Sequence, residues 1–466
     1  MLQTTALIKE ARMKKQVMAV LLSTAMVSTV FAGTAASVSA DDTTTLTITY
    51  RDPDDNGEEN YMYKWIMQAY ENWDMKDSVT IETQAIVASD SDYVTKVQTE
   101  MQDVSTSPDL FFEDTFQLNT DVAAGYVADI TDYVADWDEW TNGSFIESLK
   151  EGTKGTDGNT YAVPTSTDVR GLWYNKDVME QAGLGRDWQP ETWQDVLDAC
   201  QAIKDNCESD VVPIWFACSN TEAEATSMNT FEMLLSGTED WLVDDATGIW
   251  DTDSQGIADS LAFIETCKQN GYIGTLSEVF DASDWTYANL YMSTGKLGIY
   301  LNGSWGYADY LQSAGYPMQG YTDETLSDGL GFAQMPMQNG GGFTSMSGGW
   351  SWALSENGDN KDAAFSFLTE LMKSDNYITY LVGSGNLSVK TGMDAYDEYA
   401  SKLYVKEDEA IAETANFRPH NENYSKVSSY IYEMVDTIVR NDTAIDSAMA
   451  DYKTAVTQVV GEDFVK

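Results

Sequence analysis

Histidine is almost missing from this chain, because His420 is the only one among 466 residues. Zinc and redox-metal sites usually need more imidazole and thiolate ligands than one histidine and four cysteines supply. A Ser–His–Asp triad would depend on His420 alone. The Gly-rich segments "GGGF" and "GSGNLS" lack the Lys-Ser/Thr pair of a phosphate loop. The sequence therefore predicts no zinc or redox-metal site, no cofactor and no catalytic residue.

Basic residues are also scarce. Lys and Arg number 26 against 76 Asp and Glu, which gives a formal net charge of −50. A field of this sign repels phosphates, so we expect neither nucleic acid nor an anionic membrane as a partner. Hydrophobic residues make up 43% of the chain, which indicates a globular protein and not a disordered acidic tail.

Long apolar runs are limited to Val17–Phe31, which follows Lys14 and Lys15 and precedes the small residues Val38-Ser39-Ala40. This pattern predicts a signal peptide over residues 1–40. We expect an exported protein that is extracellular, periplasmic or held in the cell envelope. The region contains no cysteine, so it lacks the residue that carries the lipid of a bacterial lipoprotein.

Cysteine occurs only between Cys200 and Cys267. Export permits disulfides, and free buried thiols are an equally open alternative. The sequence does not decide between them.

Short β patterns alternate with amphipathic helices along the rest of the chain. Thr45–Tyr50 ("TLTITY") and Pro108–Phe112 ("PDLFF") predict strands. Thr192 and Asp195 form a capping-box pattern at the start of a clear helix, and two more helices follow Ser425. Such alternation predicts an α/β architecture with mostly parallel sheets.

The acidic segment Asp52–Gly57 ("DPDDNG") follows the first predicted strand. Its alternate oxygens match the opening half of an EF-hand calcium loop. The twelfth position is Tyr63 where the loop needs a bidentate Glu, and Pro53 interrupts it. A ligand-binding loop, a solvated turn and a calcium loop all stay open.

Five segments, in order and over almost the whole exported chain, resemble the family 1 extracellular carbohydrate-binding proteins of ABC importers, the family that includes maltose-binding protein. They are "GNTYAVPTSTDVRGLWYNKDVMEQAGL", "PETWQDVLDAC", "GKLGIYLNGSWGYADY", "SGGWSWALSENGDNKDAAFSFLTEL" and "FRPHNENYSKVSSYI". The resemblance implies a two-lobed, periplasmic-binding-protein-like (type II) fold. Its hinge-connected lobes would close on a ligand in the cleft between them.

The resemblance also implies a division of the chain. We expect lobe one to comprise 41–131 and 347–388, and lobe two to comprise 132–346 and 389–466. The chain would cross between them at 126–132, 346–352 and 387–390.

Family positions imply the first candidate ligand residues. Trp305, in "NGSW", matches the place of an aromatic under a sugar ring, and Trp350 follows two glycines on a strand edge. The apolar face of a pyranose stacks well on indole. Asp168 matches a polar ligand contact in "Pro-x(n)-Tyr-Asn-Lys", with Arg170 as its ion-pair partner or a second contact. Packing roles for these side chains stay open.

Further candidates follow from strand ends and from charge. Glu113 and Asp114 end a predicted strand, where open α/β sheets bind ligands. Arg418 is a rare cation in an acidic protein and suits bidentate bonding to a carboxylate. Since the first loop borders the cleft in this family, Asp52, Asp54 and Glu58 are favoured as sugar contacts.

We therefore expect an exported, monomeric solute-binding protein that captures a mono- or oligosaccharide for the membrane permease of an ABC importer. Binding would involve no covalent chemistry. Two alternatives stay open: an exported glycoside hydrolase, and a binder of a non-sugar polar solute. The sequence does not name the sugar.

Overall fold

The computed structural model describes residues 44–53, 55–88, 90–244 and 247–466. The predicted signal peptide and Asp54 lie outside these described residues. Within them the strands are β1 Thr44–Arg51, β2 Val79–Ile86, β3 Leu110–Asp114, β4 Ala162–Pro164, β5 Arg170–Asn175, β6 Val212–Trp215, β7 Val243–Asp244, β8 Ile249–Trp250, β9 Leu297–Gly303, β10 Leu330–Ala333, β11 Met335–Pro336, β12 Phe343–Thr344, β13 Met346–Ser347, β14 Trp350–Leu354 and β15 Asn416–Phe417.

Helices fill most of the segments between the strands. The α-helices of the described residues are Tyr61–Asn72, Asp90–Met101, Thr115–Ala123, Thr131–Ala135, Asp138–Thr141, Glu147–Glu151, Lys176–Gln181, Trp193–Asn206, Met233–Leu235, Gln255–Gln269, Leu276–Val279, Asp284–Ser293, Leu326–Gly329, Lys361–Leu371, Ser374–Ser384, Asp397–Ala400, Val405–Ala412, Tyr424–Asn441 and Ile445–Val460. A π-helix spans Ala225–Glu232, and 3₁₀ turns lie at Gly57–Glu59, Ser304–Tyr310, Asp323–Thr325, Met393–Ala395 and Glu462–Phe464.

The main strands form two sheets. The first has the order β2-β1-β3-β14-β4, and the second has the order β10-β5-β9-β6. β1 pairs in parallel with β2 and β3, and β6 pairs in parallel with β9. The other neighbours are antiparallel. The α/β class is confirmed, but the expectation of mostly parallel sheets is wrong for the described residues. Strands β14 and β5 return against the direction of their neighbours, which helix–strand alternation alone does not reveal.

Each sheet has its own hydrophobic core. The first core joins Trp65, Phe112 and Trp352 to the helices that cover the first sheet. The second core gathers around Trp173 and Trp215, with the long helix Tyr424–Asn441 packed on it. Two separate apolar centres of this kind are the structural basis of two lobes.

Three passages of the described chain connect the two cores. One runs from β4 to β5, one runs from β13 to β14, and one follows β15. They lie side by side, since β13 pairs with β15 and the Thr167 and Ser347 hydroxyls are 2.9 Å apart. Gly349 is required here because a Cβ would lie 1.9 Å from the Ser166 carbonyl oxygen. The predicted passage 346–352 overlaps one of these three. Residues on both sides of 126–132 and 387–390 pack with the first sheet.

Local sequence signals explain the element boundaries. The capping box is present: the Thr192 hydroxyl accepts from the Asp195 backbone N–H, and the Asp195 carboxylate accepts from the Thr192 backbone N–H. The helix then buries Trp193, Val196 and Cys200 on one face.

All four cysteines are free thiols. Within the described residues no helix is both long and apolar enough to span a bilayer.

Candidate functional site

An open cavity of about 1460 Å³ lies between elements of the first core and elements of the second. The first side comprises the loop after β1, the start of helix Tyr61–Asn72 and helix Ser374–Ser384. The opposite side comprises the segment that enters the π-helix, the 3₁₀ turn Ser304–Tyr310 and the start of helix Asp284–Ser293. We call this cavity the cleft.

Aromatic side chains line both sides of the cleft. Tyr61 and Tyr396 come from the first side, and Trp285 and Trp305 from the second. Trp285 is 40% exposed, which is high for a residue of this size. Flat, partly exposed rings on facing walls can hold a ligand that has apolar faces and polar edges.

Trp305 is placed by the strand that precedes it. β9 ends at Gly303, and the Trp305 ring folds back over this glycine, where a Cβ would lie 1.9 Å from the indole. The Arg170 guanidinium carbon lies 5.0 Å from the ring centroid, within cation–π distance. The "NGSW" segment therefore directs an indole into the cleft with one face held by a cation.

Acidic groups dominate the polar lining of the cleft. Six carboxylates line it against two basic side chains, Arg51 and Lys64. The six are Glu59, Glu222, Glu224, Asp309, Asp375 and Glu398. Some are already engaged: Asp375 accepts a hydrogen bond of 2.6 Å from Tyr396. The local field is negative, and the lining is rich in hydrogen-bond acceptors.

Arg418 bridges the first sheet and the π-helix, although of the three residues in this bridge only Glu224 lines the cleft. Its Nη2 donates to Asp114 Oδ1 at 2.7 Å, and its Nη1 donates to Glu224 Oε1 at 3.2 Å. Asp114 ends β3 of the first sheet, whereas Glu224 enters the π-helix of the second core. Burial alone would lower the pKa of Arg418, but the two carboxylates raise it overall. This guanidinium is a fixed cation that holds acids from both sides.

Asp168 and Arg170 form a second buried ion pair, on the passage between β4 and β5. Asp168 Oδ1 also accepts from the Gly348 backbone N–H at 2.9 Å, and Arg170 Nε donates to Asn229 Oδ1 at 2.8 Å. Burial lowers the pKa of Arg170, while Asp168 opposes that effect. Both side chains are at most 8% exposed. The pair joins two connecting passages to the π-helix.

The two other predicted residues of the first sheet lie against apolar and acidic neighbours. Trp350 stacks on Phe112 at 5.0 Å with an interplanar angle of 3°, and it does not belong to the cleft lining. Glu113 is 4% exposed and points toward Asp121 of the next helix. Burial, and then the charge of Asp121, raise the pKa of Glu113 well above its usual range.

The loop after β1 folds around Asp52. Asp52 Oδ1 accepts from the Asn56 backbone N–H at 3.1 Å and from Asn60 Nδ2 at 2.8 Å, and Oδ2 accepts from the Gly57 backbone N–H at 2.8 Å. The Asn60 side chain in turn caps the helix that starts at Tyr61. Glu58 is exposed and does not line the cleft. No group of acids, His or Cys in the described residues has the arrangement of a metal site.

Sequence inspection missed the other cleft residues because their signals are weak. Tyr61 and Trp285 look like ordinary members of amphipathic helices. Glu224 is one acid among 76. One sequence pattern could have indicated this region. The π-helix segment "ATSMNTFE" has many small and polar residues and is a poor match to the apolar stripe of an ordinary amphipathic helix.

Solved structures share this fold. An ABC transporter solute-binding protein from Thermotoga lettingae TMO, bound with alpha-D-tagatose, matches with a TM-score of 0.74 at 20% identity, over 90% of this chain and 100% of that one. Maltose-bound T. maritima MalE3 matches with a TM-score of 0.74 at 19% identity, over 89% and 100%. These likenesses define the class of fold, a two-lobed periplasmic-binding-protein-like α/β structure.

The chain belongs to the family described as bacterial extracellular solute-binding protein, whose sequence model matches residues 56–378. Among curated proteins, the melibiose/raffinose/stachyose-binding protein MelE of Bacillus subtilis is 32% identical over 110 residues, which are 24% of this chain. The matched segment spans 23% of that relative's length.

Proposed function

We propose that this protein captures a mono- or oligosaccharide in the cleft and presents it to the membrane permease of an ABC importer. The observation that carries the proposal is the position of Trp305, a half-buried indole that faces a cavity lined by carboxylates and tyrosines. A sugar ring stacks its apolar face on indole, and its hydroxyls donate to carboxylate oxygens. Family membership and the sugars bound by MalE3 and the T. lettingae protein support the same function.

The charge of the lining narrows the ligand class. Six carboxylates against two basic groups disfavour an anionic sugar, since its charge would be repelled in the partly desolvated cleft. A neutral or an amino sugar fits this field. The volume of about 1460 Å³ leaves room for more than one ring in the open state.

We propose two lobes that close around the ligand. The three adjacent passages near Thr167, Ser347 and Asn416 would act as the hinge, and each lobe would carry one sheet and one core. The cleft lies between the two groups of elements, so closure would bury the sugar and expel water. Closure requires that the ligand bind the closed state more tightly than the open one.

We propose further that the sugar leaves the cleft unchanged and that the protein is exported and monomeric. The glycoside hydrolase alternative would need an acid and a base placed on either side of one glycosidic bond. Three carboxylates near the cleft, Asp114, Asp168 and Glu224, are engaged by arginine. Engaged carboxylates suit binding better than proton transfer.

A thermal-shift screen tests the function. Melibiose, raffinose, maltose, glucosamine, a panel of amino acids and Ca²⁺ would each be added to the protein without its signal segment. A ligand at 100 times its Kd stabilises the native state by about 2.7 kcal/mol. At least one sugar is expected to raise Tm. A shift with amino acids alone would favour the polar-solute alternative, and a reducing-end assay on the same samples detects hydrolysis.

A further inference from the structure

A buried acid–phenol–acid chain lies behind the cleft. Glu232, at the end of the π-helix, is fully buried, and its Oε1 lies 2.6 Å from the Tyr424 hydroxyl. The same hydroxyl lies 2.9 Å from Glu224 Oε1. Glu224 faces the cleft, so the chain leads from the second core to the ligand site.

The hydrogen atoms of this chain can be counted. A tyrosine hydroxyl has one hydrogen to donate and can also accept. The carboxyl groups of Glu224 and Glu232 both lie within hydrogen-bond distance of the Tyr424 hydroxyl, which can donate its one hydrogen to only one of them. The second bond needs a hydrogen on the other carboxyl group. One of the two glutamates therefore carries a proton.

Surroundings decide which glutamate is protonated. Glu224 accepts from Arg418 Nη1 at 3.2 Å and from the Ser227 hydroxyl at 3.1 Å, which favours its ionised form. Glu232 has no ion-pair partner among the described residues, and its Oε2 is buried without any hydrogen bond. An isolated buried carboxylate is costly, so Glu232 holds the proton.

The charges acting on Glu232 agree with this assignment. Burial, followed by the negative charge of Glu224, raises the pKa of Glu232 to about 8, and the contact with the Tyr424 hydroxyl and the cations Arg418 and Arg170 only partly oppose this rise. Tyr452, on the last long helix, is also buried, and its hydroxyl has no hydrogen-bond partner among the described residues. Burial raises the pKa of Tyr452, and the charge that Glu232 carries when it ionises raises it further.

We propose that Glu232 is a positioning residue of the ligand site: as a neutral acid it donates to Tyr424, which thereby donates to Glu224 and fixes that carboxylate in the cleft. The role in ligand binding depends on the function proposed above, but the proton on Glu232 does not. When Glu232 ionises at alkaline pH, the Tyr424 hydrogen turns toward it. Glu224 then loses a donor and faces a second negative charge.

Infrared spectroscopy tests the proton directly and needs no ligand. In a wild-type minus Glu232→Gln difference spectrum at pH 7, a carbonyl stretching band of a protonated carboxyl group is expected. It should weaken as the pH is raised to 9.5. The control is Glu433→Gln, which removes an exposed glutamate from the helix that carries Tyr424. Absence of the band from the Glu232→Gln difference, or its presence only in the Glu433→Gln difference, overturns the proposal.

Calorimetric titration with the best sugar of the thermal-shift screen tests the positioning role. Loss of one hydrogen bond to the ionised Glu224 carboxylate should weaken wild-type binding about tenfold or more between pH 7 and 9.5. Glu232→Gln keeps a neutral donor, so its Kd should stay level over this range, and Tyr424→Phe should also abolish the pH dependence. If all three proteins respond equally to pH, Glu232 does not position the site. If no sugar binds while the infrared band is present, the proposed function fails and the protonation stands.

Discussion

Arg418 Nη2 lies 2.7 Å from Asp114 Oδ1, an ion pair that joins the end of β3 in the first sheet to the chain that follows β15. The same guanidinium holds Glu224 on the other side of the cleft. Its side chain is 6% exposed, so the bonds form in a largely desolvated place. One cation thus connects the end of β3 in the first sheet to the π-helix of the second core.

Replacing Arg418 should destabilise the protein strongly. Arg418→Met leaves Asp114 and Glu224, whose side chains are each only 16% exposed, without their cation, and a broken pair of this kind costs about 3–5 kcal/mol. Urea unfolding followed by tryptophan fluorescence measures the loss. The control Lys453→Met breaks an exposed pair with Asp253 and should change stability by about 1 kcal/mol or less. Equal losses in the two variants would show that the Arg418 bridge has no special role.

Trp305→Ala should weaken sugar binding while the fold persists. Removing a central stacking surface costs about 2 kcal/mol, or about 30-fold in Kd. Trp188 provides a matched control, since it is half-buried against Tyr174 at 5.6 Å and lies outside the cleft lining. Trp188→Ala should lower Tm without a change in Kd beyond twofold. A Trp305→Ala protein that binds as tightly as wild type would show that the Trp305 indole does not contribute to sugar binding.

Stability should fall as the pH rises from about 4.5, because Glu113 is buried against Asp121. Its pKa is raised, so above pH 4.5 the native state keeps a proton that the unfolded chain has lost. The native state then binds more protons, and the free energy of unfolding falls by about 1.4 kcal/mol per pH unit for one such group.

Glu113→Gln tests this assignment, since the amide is neutral at every pH. Urea unfolding between pH 5 and 7 should show a flatter decline for Glu113→Gln than for wild type. Glu82→Gln, the control, changes an exposed acid of β2 and should leave the dependence of unfolding free energy on pH the same as in wild type. A slope unchanged by Glu113→Gln would mean that Glu113 is ionised in the native state.

The Asp52 loop should require no calcium. Both carboxylate oxygens of Asp52 already accept hydrogen bonds within the loop, so an ion would have to displace them. Asp52→Ala should cost about 1–3 kcal/mol because the buried Asn60 amide loses its acceptor. Addition of millimolar Ca²⁺ should leave Tm unchanged in wild type. A calcium-dependent rise in Tm that Asp52→Ala abolishes would restore the EF-hand interpretation.

Local patterns identified much of the fold from the sequence. β1, the helix after Thr192 and the two C-terminal helices lie where periodicity and capping predicted them. The direction of the strands could not be predicted from these patterns, because the antiparallel pairing of β14 with β3 depends on contacts between residues far apart in the chain. Periodicity within a short window carries no information on such pairings.

The candidate site was predictable only in part. Trp305 was found through "NGSW", where a glycine lets the ring fold back over the strand. Trp350 looked like an equivalent candidate in the sequence, yet its ring packs on Phe112. The sequence did not reveal this contact, because strand parity alone does not tell which face of a strand a neighbouring ring covers. Whether each of the ten candidates contacts ligand stays a prediction, with Asp54 outside the described residues.

Capture of a sugar without covalent chemistry is tested by calorimetric titration of wild type and Trp305→Ala with the best sugar, followed by mass spectrometry of the recovered ligand. We expect saturable binding at one site per chain, a Kd about 30-fold weaker in the variant, and sugar recovered with its mass unchanged. Binding that ignores Trp305, or a recovered sugar that has been cleaved, would contradict this expectation.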